Sequence, residues 1–176
     1  MKKQASIIFC AWLMLAAPAL AQQGVKLDSS QPIEVVSDTL EVLQEQQKAI
    51  FSGNVVATQG NINMRAATMV VFYRDTGTGN AGATGEGIYR IEAEQNVFFA
   101  SPLETAQGDR AIYDVDGATV HLYGNVLLTR EGNVLKGTQM DYNLNTGRSV
   151  LVGGAPAQGG SGRVRGLFIP KKSGGQ

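Results

Sequence analysis

Three segments of this chain repeat one short phrase at matching distances from their surroundings, and that repetition limits the fold more than any single motif does. The phrase is Phe51-Ser52-Gly53-Asn54-Val55, then Ala93-Glu94-Gln95-Asn96-Val97, then Leu122-Tyr123-Gly124-Asn125-Val126. Nine residues beyond each valine lie Met64, Ala106 and Leu135, and eleven beyond lie Ala66, Gly108 and Gly137. Fourteen beyond lie Met69, Ala111 and Met140; sixteen beyond lie Val71, Tyr113 and Tyr142. Glycines close the units at Gly77, Gly117 and Gly147. Val35, Leu40 and Val42 fill the nine, fourteen and sixteen positions of an earlier, half-hidden unit. Leu40, Met69, Ala111 and Met140 are therefore spaced by 29, 42 and 29 residues. The middle excess of 13 coincides with residues 75–87, DTGTGNAGATGEG, which lack apolar periodicity. Such a Gly- and Thr-rich stretch is expected to be an insertion between strands.

Inside the units the apolar residues recur at every second position: Val55 and Ala57, Val97 and Phe99, Val126 and Leu128, with Phe51, Ala93 and Leu122 just upstream. Period two marks strands with one buried face. The second half of each unit repeats it in Met69 and Val71, Ala111 and Tyr113, Met140 and Tyr142. Between the halves the parity slips by one, so a corner or β-bulge is expected near the twelfth position. Turn residues agree: Gln59-Gly60-Asn61, Asp116-Gly117, Glu131-Gly132-Asn133 and Asn145-Thr146-Gly147 separate the apolar runs. Leu40 to Lys48 passes for a helix in isolation, but the register puts Leu40 and Val42 on a strand. One unit cannot bury its apolar face and stacked neighbours can. The expected fold is all-β, an open antiparallel β-jelly roll of repeated 29-residue strand units.

The ends read differently. Lys2 and Lys3, an apolar run to Leu20 and Ala19-Leu20-Ala21 describe a secretory signal peptide over residues 1–21. The run of 16 residues is shorter than the roughly 20 that span a bilayer. Cys10, inside that run and away from the junction, is the only cysteine. An exported chain cut there has no disulfide to rely on and must be held by its core. Without Lys2 and Lys3 it carries 13 basic and 15 acidic residues, about −2, which gives no footprint for nucleic acid. The β domain is expected over 22–156, with regular pairing weakening at Pro156. A Gly-rich basic tail over 157–176 carries Arg163, Arg165, Lys171 and Lys172, a solvated end or a contact for an anionic group such as a lipid phosphate. Residues 164–172 of that tail read either as a late strand or as a segment that orders on binding.

No catalytic or metal constellation emerges. With one histidine, His121, and no cysteine after the leader, the usual zinc sites and nucleophile–histidine pairs are excluded save through His121. His121 alternates with Val120 and Leu122, which puts it on the solvent face. Gly77-Thr78-Gly79-Asn80-Ala81-Gly82 matches G-x-G-x-x-G, but more glycine follows where the fingerprint needs a helix. Asp114, Asp116 and Asp141 read as solvated carboxylates rather than calcium ligands. No enzyme and no cofactor are expected. The inward column of Val35, Leu40, Phe51, Val55, Ala57, Met64, Met69, Val71, Val97, Phe99, Tyr113, Leu122, Val126, Leu128, Met140 and Tyr142 is either plain core or the lining of a site for an irregular apolar ligand.

The phrase at Phe51–Val55, with Pro32-Ile33-Glu34-Val35 and Ser37-Asp38-Thr39-Leu40 before it, resembles the OstA-like family. So do Gly124-Asn125-Val126 and Met140-Asp141-Tyr142, and the resemblance covers roughly residues 31–156. The insertion and Gln95 in place of glycine depart from the pattern. The resemblance implies a twisted, open jelly roll in the periplasm that carries lipopolysaccharide, its lipid A acyl chains riding in the apolar interior. It further implies head-to-tail stacking of copies and a bridge from an inner-membrane complex, through LptC, to the amino-terminal domain of LptD. Open edges dock by strand addition, and Val35 and Val42 at one end with Val150 and Val152 at the other are the expected partner contacts. Two rival readings are a ligand-free structural β-repeat protein of the envelope and a polysaccharide-acting solenoid enzyme. The second needs paired carboxylates on one face, and no such pair recurs.

Overall fold

The computed structural model describes residues 30–74, 87–154 and 162–169. The expected leader, most of the 75–87 insertion, Pro156, Lys171 and Lys172 lie outside them. The described residues form β1 (Ile33–Val36), β2 (Thr39–Leu43), β3 (Lys48–Gln59), β4 (Ile62–Tyr73), β5 (Ile88–Ala100), β6 (Thr105–Asp114), β7 (Thr119–Arg130), β8 (Asn133–Asn143), β9 (Arg148–Val152) and β10 (Arg165–Leu167). A 3-10 turn, Gln44–Gln46, joins β2 to β3, so the segment that imitates a helix contributes one turn and a strand. The strands make one antiparallel sheet in the order β1-β3-β4-β5-β6-β7-β8-β10. β2 runs beside the other half of β3, and β9 beside the other half of β8. Both edges are thus long strands broken in two. Within the tail, residues 165–167 form a late strand, with Gly166 opposite Leu135.

The repeated phrase is where the sheet bends. Ser52 pairs with Thr68 and Val55 with Ala66, leaving Gly53 and Asn54 opposite Ala67 alone. Gln95 and Asn96 likewise face Asp109, and Gly124 and Asn125 face Thr138. Each is a bulge of two residues against one, which kinks its strand. The twelfth position after the valine is the single partner; the extra residue sits in the Asn-Val phrase itself. Left-handed backbone explains the composition: φ is +81° at Gly53, +47° at Asn54, +66° at Gln95, +54° at Asn96 and +98° at Gly124. Glycine meets no Cβ penalty there, and asparagine tolerates the region better than most residues. Two aspartates brace the bulges. Asn54 Nδ2 donates to Asp38 Oδ2 at 2.9 Å, and the backbone N and Nδ2 of Asn125 both donate to Asp109 Oδ2 at 3.1 Å.

Because the bulges recur at the same height on alternate strands, β3, β5 and β7, the sheet creases along one line into two half-sheets. Half A holds β2, β9 and the segments 48–52, 68–73, 88–94, 110–114, 119–123 and 139–143. Half B holds β1, β10 and the complementary segments. The halves face each other, as cross-contacts show: the rings of Phe99 (half B) and Tyr142 (half A) meet edge to face at 5.2 Å and 61°. That geometry adds about 0.5–1.5 kcal/mol to the burial of both rings.

Candidate functional site

The facing inner surfaces are built from rows that cross every strand. One row in half A runs Leu40, Phe51, Met69, Ala93, Ala111, Leu122, Met140, Leu151, each paired with the next from edge to edge. One in half B runs Val35, Ala57, Met64, Phe99, Ala106, Leu128, Leu135. Neither contains a polar residue. Full burial of a large apolar side chain is worth about 1.5–3 kcal/mol, and both rows run through the buried core.

Of the inward column read from the sequence, Val55, Ala57, Met64, Met69, Val71, Val97, Phe99, Tyr113, Leu122, Val126, Leu128, Met140 and Tyr142 form one contiguous buried cluster. Val35 and Phe51 are partly buried against it. Leu40 departs from that column: it faces inward in its row but is 56% exposed, because no strand of half B covers β2 there. The column was also incomplete. Ile62, Ile91, Val120 and Leu144 are buried in the same cluster, and each lies two residues from a member already in the pattern. Extending the alternation to the strand ends finds them.

Side chains fill the interior. The apolar cavity left between the halves measures about 20 Å³, on the order of one water, with Ile33, Ile62, Met64, Tyr113 and Leu144 in its wall. It sits on the side away from the crease, where the turns of the two halves meet in a slit closed by polar contacts. Tyr113 Oη donates to Gln59 Oε1 at 2.7 Å, and Tyr142 Oη to Ser101 Oγ at 3.3 Å. Ser149 Oγ donates to Glu104 Oε1. Burial pushes the Tyr113 hydroxyl up to about 12 against the bond to Gln59, and raises Tyr142 against the bond to Ser101. Glu104 is 4% exposed. Its Oε2 takes no hydrogen bond, and the nearest cation, Arg130 Nη1, is 3.8 Å away. Burial therefore raises its pKa, with Ser149 and Arg130 working the other way.

Among the described residues, the large apolar side chains left in solvent belong to the two edges or lie next to them. Val36, Leu40 and Val42 lie at the β1/β2 end; Val150, Val152, Val164, Leu167, Phe168 and Ile169 lie at the β9/β10 end. Val42, Val150 and Val152 are exposed, whereas Val35 packs against the core. Arg163 and Arg165 are exposed, Arg165 opposite Lys136 on the outer surface of half B and away from the interior. The outer surface of half A sets charged residues among apolar ones such as Val70 and Ile112. Glu92 accepts from Arg90 and Arg110 at 2.6 and 2.7 Å, and His121 Nδ1 lies 2.7 Å from Asp141 Oδ1. Burial works against the Asp141 carboxylate, but His121 and Gln139 outweigh it and hold its pKa low. Asp114 caps its turn and Asp116 pairs with Arg74 at 2.7 Å. Among the described residues no group of three His, Cys, Asp or Glu side chains is placed to hold a metal ion.

Comparison with known proteins agrees with this architecture. Residues 34–148 match the family described as LptA/(LptD N-terminal domain) LPS transport protein. An uncharacterized protein of Rhizobium meliloti is 37% identical over 145 residues, 78% of this chain and 77% of the relative. The lipopolysaccharide export system protein LptA of Haemophilus influenzae is 24% identical over 94% of this chain and 92% of its own. Its Escherichia coli counterpart is 26% identical over 80% and 74%. The crystal structure of LptH of Pseudomonas aeruginosa, the LptA-homologous periplasmic component of a lipopolysaccharide transport device, superposes with a TM-score of 0.66. It is 20% identical, over 82% of this chain and 99% of that one, and shares the fold.

Proposed function

Since this chain belongs to the LptA/LptD amino-terminal family of lipopolysaccharide-transport proteins, we propose that it is a non-enzymatic periplasmic carrier that takes the acyl chains of lipid A between its half-sheets. The observation that carries this reading is the unbroken apolar row from Leu40 at one edge to Leu151 at the other. Each methylene removed from water is worth about 0.8 kcal/mol, so a ten-carbon chain costs on the order of 8 kcal/mol to expose. A freely diffusing protein that gripped several chains would release them slowly. A lining of even affinity lets the lipid move along without that penalty, provided the next copy continues the row. Exposed apolar residues at both broken edges support head-to-tail docking by strand addition, and a contact that does not close on itself builds a filament. By the same contact the terminal copies would meet an LptC-like protein and the LptD amino-terminal domain. Arg163, Arg165, Lys171 and Lys172 are candidates for lipid phosphate.

The filled interior favours a second reading, a structural envelope protein with a sealed core. Photo-crosslinking from Met69 and Phe99 to labelled lipopolysaccharide, with outward His121 as control, separates the two. Adducts at the inner positions and none at His121 support the carrier; equal labelling, or none, leaves the sealed core.

A further inference from the structure

We infer that the interior opens to cargo when the half-sheets part along the slit, and that Glu104 helps to hold the slit shut. The inference rests on the reading that acyl chains occupy the interior. A cavity of about 20 Å³ admits no acyl chain, so loading requires the halves to separate. Two features prepare the molecule for that. The crease is a line of bulges at Gly53-Asn54 of β3, Gln95-Asn96 of β5 and Gly124-Asn125 of β7, all left-handed save Asn125, where the ladder is already interrupted. Bending there disturbs fewer ladder hydrogen bonds than bending anywhere else in the sheet. The opposite margin holds three polar contacts beside its apolar ones: Ser149 on Glu104, Tyr142 on Ser101, Tyr113 on Gln59. Water can replace each of these bonds when the margin opens, so separation does not strand a buried donor.

Glu104 stands out among them. It lies at the β5–β6 turn of half B, bonded to Ser149 of half A across 45 residues of sequence. It is a buried carboxylate with one oxygen lacking a hydrogen bond and an arginine too far to donate. That oxygen is better solvated with the slit open, while the Ser149 bond exists only with it shut. The latch is therefore weak by construction, which suits a site that must fill and empty.

The test uses Leu103→Cys with Gly147→Cys. A Cβ at Gly147 would stand 3.0 Å from Leu103 Cδ1, across the same slit, which puts the two positions side by side; thiol titration verifies that the disulfide forms on oxidation before uptake is timed. Uptake of fluorescent lipopolysaccharide is timed by stopped flow for the oxidised and reduced forms of this one variant, so any strain at Gly147 is common to both. Oxidation is expected to slow uptake at least tenfold and reduction to restore it. Glu104→Ala is expected to speed uptake several-fold and to raise amide exchange at 101–104 and 144–149, leaving the strand centres at 91–93 and 111–113 protected. Equal rates for oxidised and reduced protein would refute opening along the slit while leaving the carrier reading intact. An alanine variant no faster than the parent would refute the role of Glu104. No uptake by the parent protein would sink the carrier reading itself, and this inference with it.

Discussion

Gly124→Ala probes the crease. At φ +98° an alanine bears backbone strain of about 1–3 kcal/mol. Its Cβ would also lie 2.1 Å from Asp109 Oδ2 and 2.6 Å from Asp109 Cβ. Because the second overlap involves Cβ, rotating the carboxylate tip does not relieve it; the whole Asp109 side chain must leave. The two bonds from Asn125 go with it. These are exposed and worth about 0.5–1 kcal/mol each, so with the strain the total loss should be about 2–5 kcal/mol. Gly132 supplies the control. Its φ is +82° but nothing lies within 4 Å of its would-be Cβ, so Gly132→Ala should show the strain alone, about 1–2 kcal/mol. Asp109→Ala should cost about 1 kcal/mol. The Gly124→Ala, Asp109→Ala double variant should then be less destabilised than the singles added together, by roughly 1 kcal/mol, because the overlap and the bonds are lost only once. Urea unfolding followed by far-UV circular dichroism measures all four. A Gly124→Ala loss no greater than that of Gly132→Ala, or strictly additive singles, would show that Asp109 does not brace the crease.

Two further outcomes follow from the margin and the edges. Burial raises the pKa of Glu104 in the folded chain, so the fold is favoured when the carboxyl is protonated and loses that advantage as pH rises above the ordinary glutamate value of 4.5. Glu104→Gln keeps an acceptor for Ser149 without the charge; its thermal midpoint should match the parent near pH 4 and exceed it near pH 8, by roughly 1 kcal/mol of stability, and a constant difference across that range would contradict the assignment. Leu40→Glu with Val42→Glu places charges on the exposed β2 edge; stability should change by less than about 0.5 kcal/mol while sedimentation shifts from oligomer towards monomer, and an unchanged distribution would remove this edge from the stacking contact.

Much of this architecture is legible in the residues, for physical reasons. Period two and a 29-residue repeat act over neighbouring residues, so Met69, Ala111 and Met140 can be placed on one inner row without coordinates. The kink between half-units follows from a parity slip, although only the pairing shows that the extra residue belongs to the Gly-Asn phrase. The broken outer strands were visible as the half-hidden first unit and the decay after Val152. What stayed hidden depends on the sheet folding over. Nothing local distinguishes Glu104 from any turn carboxylate; its burial comes from Ser149, 45 residues away. Gln59 meets Tyr113 across 54 residues for the same reason. Leu40 obeys its register and still lies in solvent, because alternation tells which way a side chain points and not whether anything stands opposite.

The interrupted outer strands have a consequence for the company this protein keeps. An unpaired sheet margin ordinarily invites any extended peptide, including misfolded copies. Here β1 and β2 diverge at Ser37-Asp38, and Asp38 is tied to Gly53 and Asn54 at the same height. A flat strand laid against this margin can satisfy one half and must miss the other. A newcomer that satisfies both has to bend at a matching point, so a margin of this shape suits strands bent alike and disfavours the straight ones that would seed aggregation.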